Sequence, residues 1–169
     1  MARYNIVPER SRVWIDARSS LHPIHSTTDG LEGYIDLDAS DGRPNLDVQP
    51  EGELTLPVAR LSSGNRLEDR ELHKRIDERR FPTINGVLTK MEQIDGNQYR
   101  VSGNLAFRGV TRRVEDEMTV DVVDDRTVQL DGQATFDVRD FGMEPPRILM
   151  LRVEPDVVVR VVIVAVKEV

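Results

Sequence analysis

His22 and His25, with Pro23 and Ile24 between them, have the spacing of a minimal metal pair or of an acid–base couple. Pro23 disfavours a helix there, and in a strand positions i and i+3 point to opposite faces. The remaining histidine, His73, lies in a run of mixed charges, and the chain has no cysteine. A zinc site would therefore have to recruit carboxylates, and an enzyme built on these imidazoles would need a carboxylate partner. A loop that touches a ligand accounts for the two residues more simply.

The other chemistry-bearing stretches resolve into structure. Asp140-Phe141-Gly142 has the letters of the kinase metal triplet, but no glycine-rich loop, lysine strand or catalytic loop accompanies it. It reads as a tight corner with Phe141 turned inward, leading into Met143-Glu144-Pro145-Pro146. Arg139 is expected to pair with Asp140 and to be within reach of Asp69. Ser62-Ser63-Gly64-Asn65 lacks a nucleophile elbow and reads as a turn into a helix, with Asn65 as its cap. Asp38, Asp41, Asn45 and Asp47 surround Gly42 without the spacing of a calcium loop. No Asp or Glu stands in an apolar context that would tune a catalytic pair. The expectation is a container rather than a catalyst, without catalytic residues, metal or cofactor.

The elements that would hold such a container are strands. Gly, Pro, Asn and Asp recur at short intervals between alternating runs, the pattern of an antiparallel all-β domain. Tyr99, Val101, Leu105 and Phe107 share one phase against Arg100, Ser102, Asn104 and Arg108. Met118, Val120 and Val122 share another against Glu117, Thr119 and Asp121. Period 2 of this kind means one buried and one wet face. Asp95-Gly96 predicts a two-residue hairpin turn that places Ile94, Tyr99 and Val101 on one face. At Asp131-Gly132 a turn would bring Asp137 into the core. A single strand through Gly132 instead keeps Val128, Leu130, Ala134, Phe136 and Val138 together, with Gly132 as a bend. One helix is predicted over about Leu67 to Arg79, with a narrow Leu72/Ile76 stripe and heavily charged flanks, lying across a sheet or a barrel mouth. The last strand, about Asp156 to Val166, is apolar on both faces. One face is expected to meet the core and the other, Val158, Val162 and Val164, a helix or a second subunit.

At 169 residues the chain forms one domain, 1–169, with a formal net charge of −7. That balance disfavours a nucleic-acid surface and adsorption to anionic membrane. No apolar leader is seen at the N-terminus, and the longest apolar run is about half of a membrane helix, so a cytoplasmic protein without membrane insertion is expected. Bulky side chains are few: four Phe, three Tyr and one Trp, beside Met118, Met143 and Met150. A barrel lined mostly by Val, Leu and Ala leaves more unfilled volume than one plugged by aromatics.

In order along the chain stand Val13-Trp14-Ile15-Asp16, then Ser63-Gly64-Asn65-Arg66 with Asp69-Arg70, then Phe81-Pro82-Thr83-Ile84. Tyr99-Arg100-Val101-Ser102-Gly103-Asn104-Leu105 and Gly109-Val110-Thr111 follow, and a strand ending in Arg139-Asp140-Phe141-Gly142 precedes a valine-rich final strand. Together these resemble the YceI-like family of lipocalin-like barrels that bind polyisoprenoid lipids. The region Arg18 to His25 departs from that family's His-Ser then Phe pattern. The resemblance implies an antiparallel eight-stranded lipocalin-like barrel with one short helix across it, an apolar tunnel, an isoprenoid, quinone-like or fatty ligand, and homodimerisation. The ligand would be held by Trp14, Leu21, Ile24, Tyr99, Val101, Leu105, Phe107, Met118, Phe136, Phe141 and Ile163. His22, His25 and Arg70 would meet its head group. The alternative is a filled barrel that serves as an interaction module through the outer face of the last strand.

Overall fold

The computed structural model describes residues 1–145, 147–148 and 151–169; Met150 lies outside the described residues. Alternation of apolar and polar residues folds the chain into strands β1 (Ala2–Ile6), β2 (Arg12–Ser19), β3 (Pro23–Thr28), β4 (Glu32–Leu37), β5 (Glu51–Pro57), β6 (Thr83–Asp95), β7 (Gln98–Phe107), β8 (Val110–Val122), β9 (Thr127–Asp137), β10 (Arg147–Ile148) and β11 (Leu151–Lys167). The sheet runs β1-β4-β5-β6-β7-β8-β9-β11, and β1 pairs with β11 to close it. β2 continues β1 along β11, and β3 pairs with β2 as β4 pairs with β1. The result is a closed eight-stranded antiparallel barrel in which two of the staves are kinked. Among the described residues no helix is long and apolar enough to cross a membrane.

The chain runs straight through Gly132, which faces Met118 across the β8–β9 ladder. A Cβ on Gly132 would stand 2.8 Å from Met118 Cγ, so only glycine admits this side chain at the bend. The hairpin near Asp95 differs from expectation by one residue. Gly96 and Asn97 form the loop, Asp95 pairs with Gln98, and a bulge sets Gln93 opposite Tyr99. Ile94 is therefore 43% exposed while Tyr99 is buried.

The final strand begins earlier than predicted, with a bulge between Val153 and Val157 that accommodates Pro155. Its inner face, Val157, Val159, Val161, Ile163 and Ala165, is the predicted one, set opposite Phe136, Ala134, Gly132, Leu130 and Val128. On the outer face Val164 is buried beside the 3₁₀ turn Pro8–Arg10, which packs on β11. Ser11 Oγ and the Val7 amide bond its backbone. The chain's own N-terminal turn thus covers part of the face expected to meet a helix or second subunit. Val158 and Val162 stay half-buried.

The helix α1 (Arg66–Ile76) starts where Asn65 Oδ1 accepts from the amides of Leu67 (3.0 Å) and Glu68 (3.3 Å). Its last residue is Ile76, three before the predicted Arg79, and it is capped by Asp77, whose φ of 62° is left-handed. Ile76 is buried in the core and Leu72 packs on it, so the expected stripe is the one that docks.

Candidate functional site

The inner wall is not uniform along the barrel. At the end holding the chain termini and the β6–β7 turn, Tyr4, Leu37, Met91, Tyr99, Val120, Val128 and Ala165 fill the interior, none more than 3% exposed. Toward the other end, Val101, Leu105 and Phe107 on β7, Val114 on β8, and Ala134 and Phe136 on β9 are only half-buried. So are Val157 and Val159 on β11, Ile15 and Ala17 on β2, and Ile24 on β3. Close-packed interiors do not leave a ring of inward apolar side chains accessible. These inner-face residues therefore stay partly accessible above the packed end, the floor of the barrel.

Above that floor the wall parts. The β8–β9 ladder runs from Val122↔Val128 to Met118↔Gly132 and stops, while β8 continues to Val110 on β7 alone and β9 continues to Asp137 on β11 alone. A seam therefore opens between residues 110–117 and 133–137. It is bridged at the rim by the 3₁₀ turn Val138–Phe141, in which Phe141 is 4% exposed and meets Phe107 edge-to-face, centroids 5.6 Å apart at 75°. This is the inward corner the sequence predicts.

Two arginines that the sequence reading passed over fasten this end. Arg108 donates through Nε to the Arg75 carbonyl of α1 (2.9 Å) and through Nη1 to the Gly142 carbonyl. Arg112 donates through Nε to the Asp140 carbonyl (2.9 Å). Their signal is positional: Arg108 sits in the β7–β8 turn with φ of 56°, where a long side chain reaches whatever crosses the rim. On the far side His73 Nε2 donates to the Leu61 carbonyl (3.0 Å). Beneath the helix Val58, Leu61, Ile76 and Met143 are buried.

The ion pairs differ from those expected. Arg139 turns to Asp137, with Nη2 2.7 Å from Oδ2, and this pair holds the Asp137 carboxyl below its usual range. Asp69 instead accepts from Ser62 Oγ, from the Ser63 amide and from Ser63 Oγ, bracing the entry to α1.

The fourteen residues expected to meet a ligand fall into three groups. Val101, Leu105, Phe107, Met118, Phe136 and Ile24 lie on the partly accessible inner wall. Tyr99 and Ile163 are buried in the floor, and Phe141 is buried in the rim corner. The remaining five stand elsewhere. Trp14 pairs with Arg160 and Thr27 on the outer surface, with the Arg160 guanidinium 5.0 Å from its ring. Its phase is that of Arg12 and Asp16, so the inner face of β2 belongs to Val13, Ile15 and Ala17. Leu21, 77% exposed, and His22 form the tip of the β2–β3 hairpin, and His22 Nδ1 donates to the Pro23 carbonyl. His25 lies on the outer face, its Nδ1 2.6 Å from Asp16 Oδ1. Arg70 lines an open, charged groove of about 680 Å³ on the solvent side of α1, with Arg66, His73 and Lys74. The two closely spaced imidazoles are thus spent on separate partners. Among the described residues no three His, Cys, Asp or Glu side chains are grouped as metal ligands.

One inward residue contradicts the expectation that no carboxylate has apolar surroundings. Asp116 shares the phase of Val114 and Met118 and lies opposite Val101. Burial holds its carboxyl above the ordinary value of 3.8. The alternation Val114, Asp116, Met118, Val120 is legible in the sequence and was the available signal.

Several solved structures share this architecture. Burkholderia cenocepacia BcnA superposes with a TM-score of 0.81 at 18% identity, covering 95% of this chain and 99% of that one. A polyisoprenoid-binding domain from Saccharophagus degradans, implicated in plant cell wall breakdown, gives 0.78 at 11% identity, covering 99% and 100%. The Campylobacter jejuni YceI protein gives 0.69 at 15%, covering 85% of each. No curated protein matches the chain. The YceI-like domain matches residues 4–165, from the first strand of the barrel nearly to the end of the last. With the capped helix and the Arg-Asp-Phe-Gly corner lying within that span, the chain belongs to the YceI-like family.

Proposed function

We propose that the protein binds an apolar or amphiphilic chain, isoprenoid, quinone-like or fatty, in the barrel lumen, as a carrier or reservoir with no catalytic step. The observation that carries this reading is the contrast along the inner wall. One end is packed to exclusion, while the apolar side chains of β7, β8, β9, β11 and β2 beyond it remain half-buried around a seam. Covering such surface contributes roughly 25 cal/mol per Å², so a chain laid along it is held by area rather than by polar contacts. The Saccharophagus degradans domain of the same fold, described as binding polyisoprenoid, supports the ligand class. Native mass spectrometry of the purified protein, followed by solvent extraction, tests it. A copurifying apolar chain at near-stoichiometric mass is the expected result. An apo mass that does not change on incubation with isoprenoids and fatty acids would refute it.

A second reading rests on the outer face of β11. Val158 and Val162 are half-buried beside Trp14, a surface on which two copies of the chain could pair through a twofold axis. A sedimentation mass of one chain at high protein concentration would remove this reading and leave the first untouched.

A further inference from the structure

Asp116 stands at the apex of the seam, on the last inner-face position of β8 before the β8–β9 ladder begins at Met118. Its inner-face neighbours, Val101 across the β7 ladder, Val114 and Met118 along β8, and Gly132 on β9, carry no charge. Oδ1 accepts from the Glu117 amide at 2.8 Å. Oδ2 is directed at the bare backbone of Gly132, 3.5 Å from where a Cβ would be, and among the described residues no basic group pairs with it. The Met118 side chain lies over Gly132 and forms the apolar flank of this oxygen on that side. Below it lies the Tyr99 and Met91 floor, and above it lies the half-buried apolar wall. From Asp116 to Arg112 at the rim is four residues of strand, about 14 Å at roughly 3.4 Å per residue.

We infer that Asp116 is the head-group site of the lumen, receiving a chain that ends in a hydrogen-bond donor, an alcohol or an amine, and turning away a chain that ends in a carboxylate. The inference rests on the lumen reading above and narrows its ligand. A carboxylate only accepts hydrogen bonds. Once an apolar chain covers Asp116, a carboxylate oxygen left without a donor is costly, so a hydroxyl or ammonium delivered by that chain satisfies it at the moment of binding. A second carboxylate at the same place supplies no donor and adds like-charge repulsion. The apolar chain then extends from Asp116 toward the rim, past Val114, Phe136, Leu105 and Phe107.

The test compares geranylgeraniol with geranylgeranoic acid, which share one chain and differ at the head, titrated against the whole protein at neutral pH by native mass spectrometry. The alcohol is expected to bind at least about tenfold more tightly than the acid, about 1.4 kcal/mol from one donated hydrogen bond gained and one like-charge contact avoided. In Asp116→Asn, where the amide donates as well as accepts, the acid is expected to gain and the ratio to fall to within about threefold. Glu117→Gln removes the adjacent, outward-facing charge and is expected to leave the ratio unchanged. Equal affinities in the unaltered protein, or a ratio that survives Asp116→Asn, would overturn the assignment while leaving the container intact. Binding of neither probe would remove the container reading and this inference with it.

Discussion

Phe141 and Phe136 separate the part of the interior that holds the fold from the part proposed to take a ligand. Phe141 is 4% exposed, with its ring edge-to-face on Phe107 at the rim corner. Replacing it by alanine removes a fully enclosed ring, and such changes cost about 3–5 kcal/mol, transfer and cavity together. About 0.5–1.5 kcal/mol of that is the aromatic pair. Phe136 is inward but half-buried. Its removal forfeits only about half of the roughly 1.5–3 kcal/mol for burying such a side chain, and on the proposed reading it opens onto the lumen rather than leaving a new cavity. Phe136→Ala is therefore expected to cost about 0.8–1.5 kcal/mol. For a domain of this size 1 kcal/mol moves Tm by about 2–4 °C, so Phe141→Ala should lose at least about 6 °C and Phe136→Ala less than about 6 °C. Urea unfolding of both variants, read as midpoints at constant slope, measures the difference. Equal costs within about 0.5 kcal/mol would mean that the wall at Phe136 is as tightly packed as the corner at Phe141, and that no lumen lies beside it. Chain binding should move in the opposite order, lost in Phe136→Ala beyond its small effect on the fold.

Other expectations follow from single contacts. Arg108→Ala removes the charge-assisted bonds to the Arg75 and Gly142 carbonyls, each worth about 1.5–3 kcal/mol, and should show as faster amide exchange in α1 and the 138–142 turn with the barrel strands unchanged. Asn65→Ala should cost about 0.5–2 kcal/mol and fray the first turn of α1, seen at the Leu67 and Glu68 amides. Gly103→Ala would place a Cβ 2.5 Å from the Val87 carbonyl oxygen, a backbone atom that cannot swing away, and should destabilise by about 1–3 kcal/mol in a melt. The raised Asp116 carboxyl binds a proton more readily folded than unfolded. Its contribution is therefore most favourable below the ordinary value of 3.8 and is lost as pH rises through the folded value. Asp116→Asn should accordingly be more stable than the unaltered chain at neutral pH, with the gain vanishing in acid. A gain that instead grows on acidification would show that the carboxyl is not desolvated.

Period and punctuation determined much of this protein before any coordinates. Alternation fixed the strands, Gly132 inside an unbroken phase ruled out a turn, Asn65 ahead of a charged run marked a helix start, and Phe141 between charges and Gly142 marked an inward corner. These are local consequences of backbone geometry, written within a few residues of where they act. Trp14 and Asp116 were legible by the same rule and were misread by residue type. Trp14 alternates with the inner Val13 and Ile15 and so lies outside, whereas Asp116 alternates with Val114 and Met118 and so lies inside. Tertiary structure alone decided the rest. Where β8 and β9 part, which end of the barrel is packed shut, and that Arg108 spans to α1 all depend on the registers of strands far apart in the chain. The outer face of β11 could have met a helix, a partner or its own N-terminal turn. The phase of the strand marks its inner face, but only the path of residues 7–11 across β11 settles what covers the outer one.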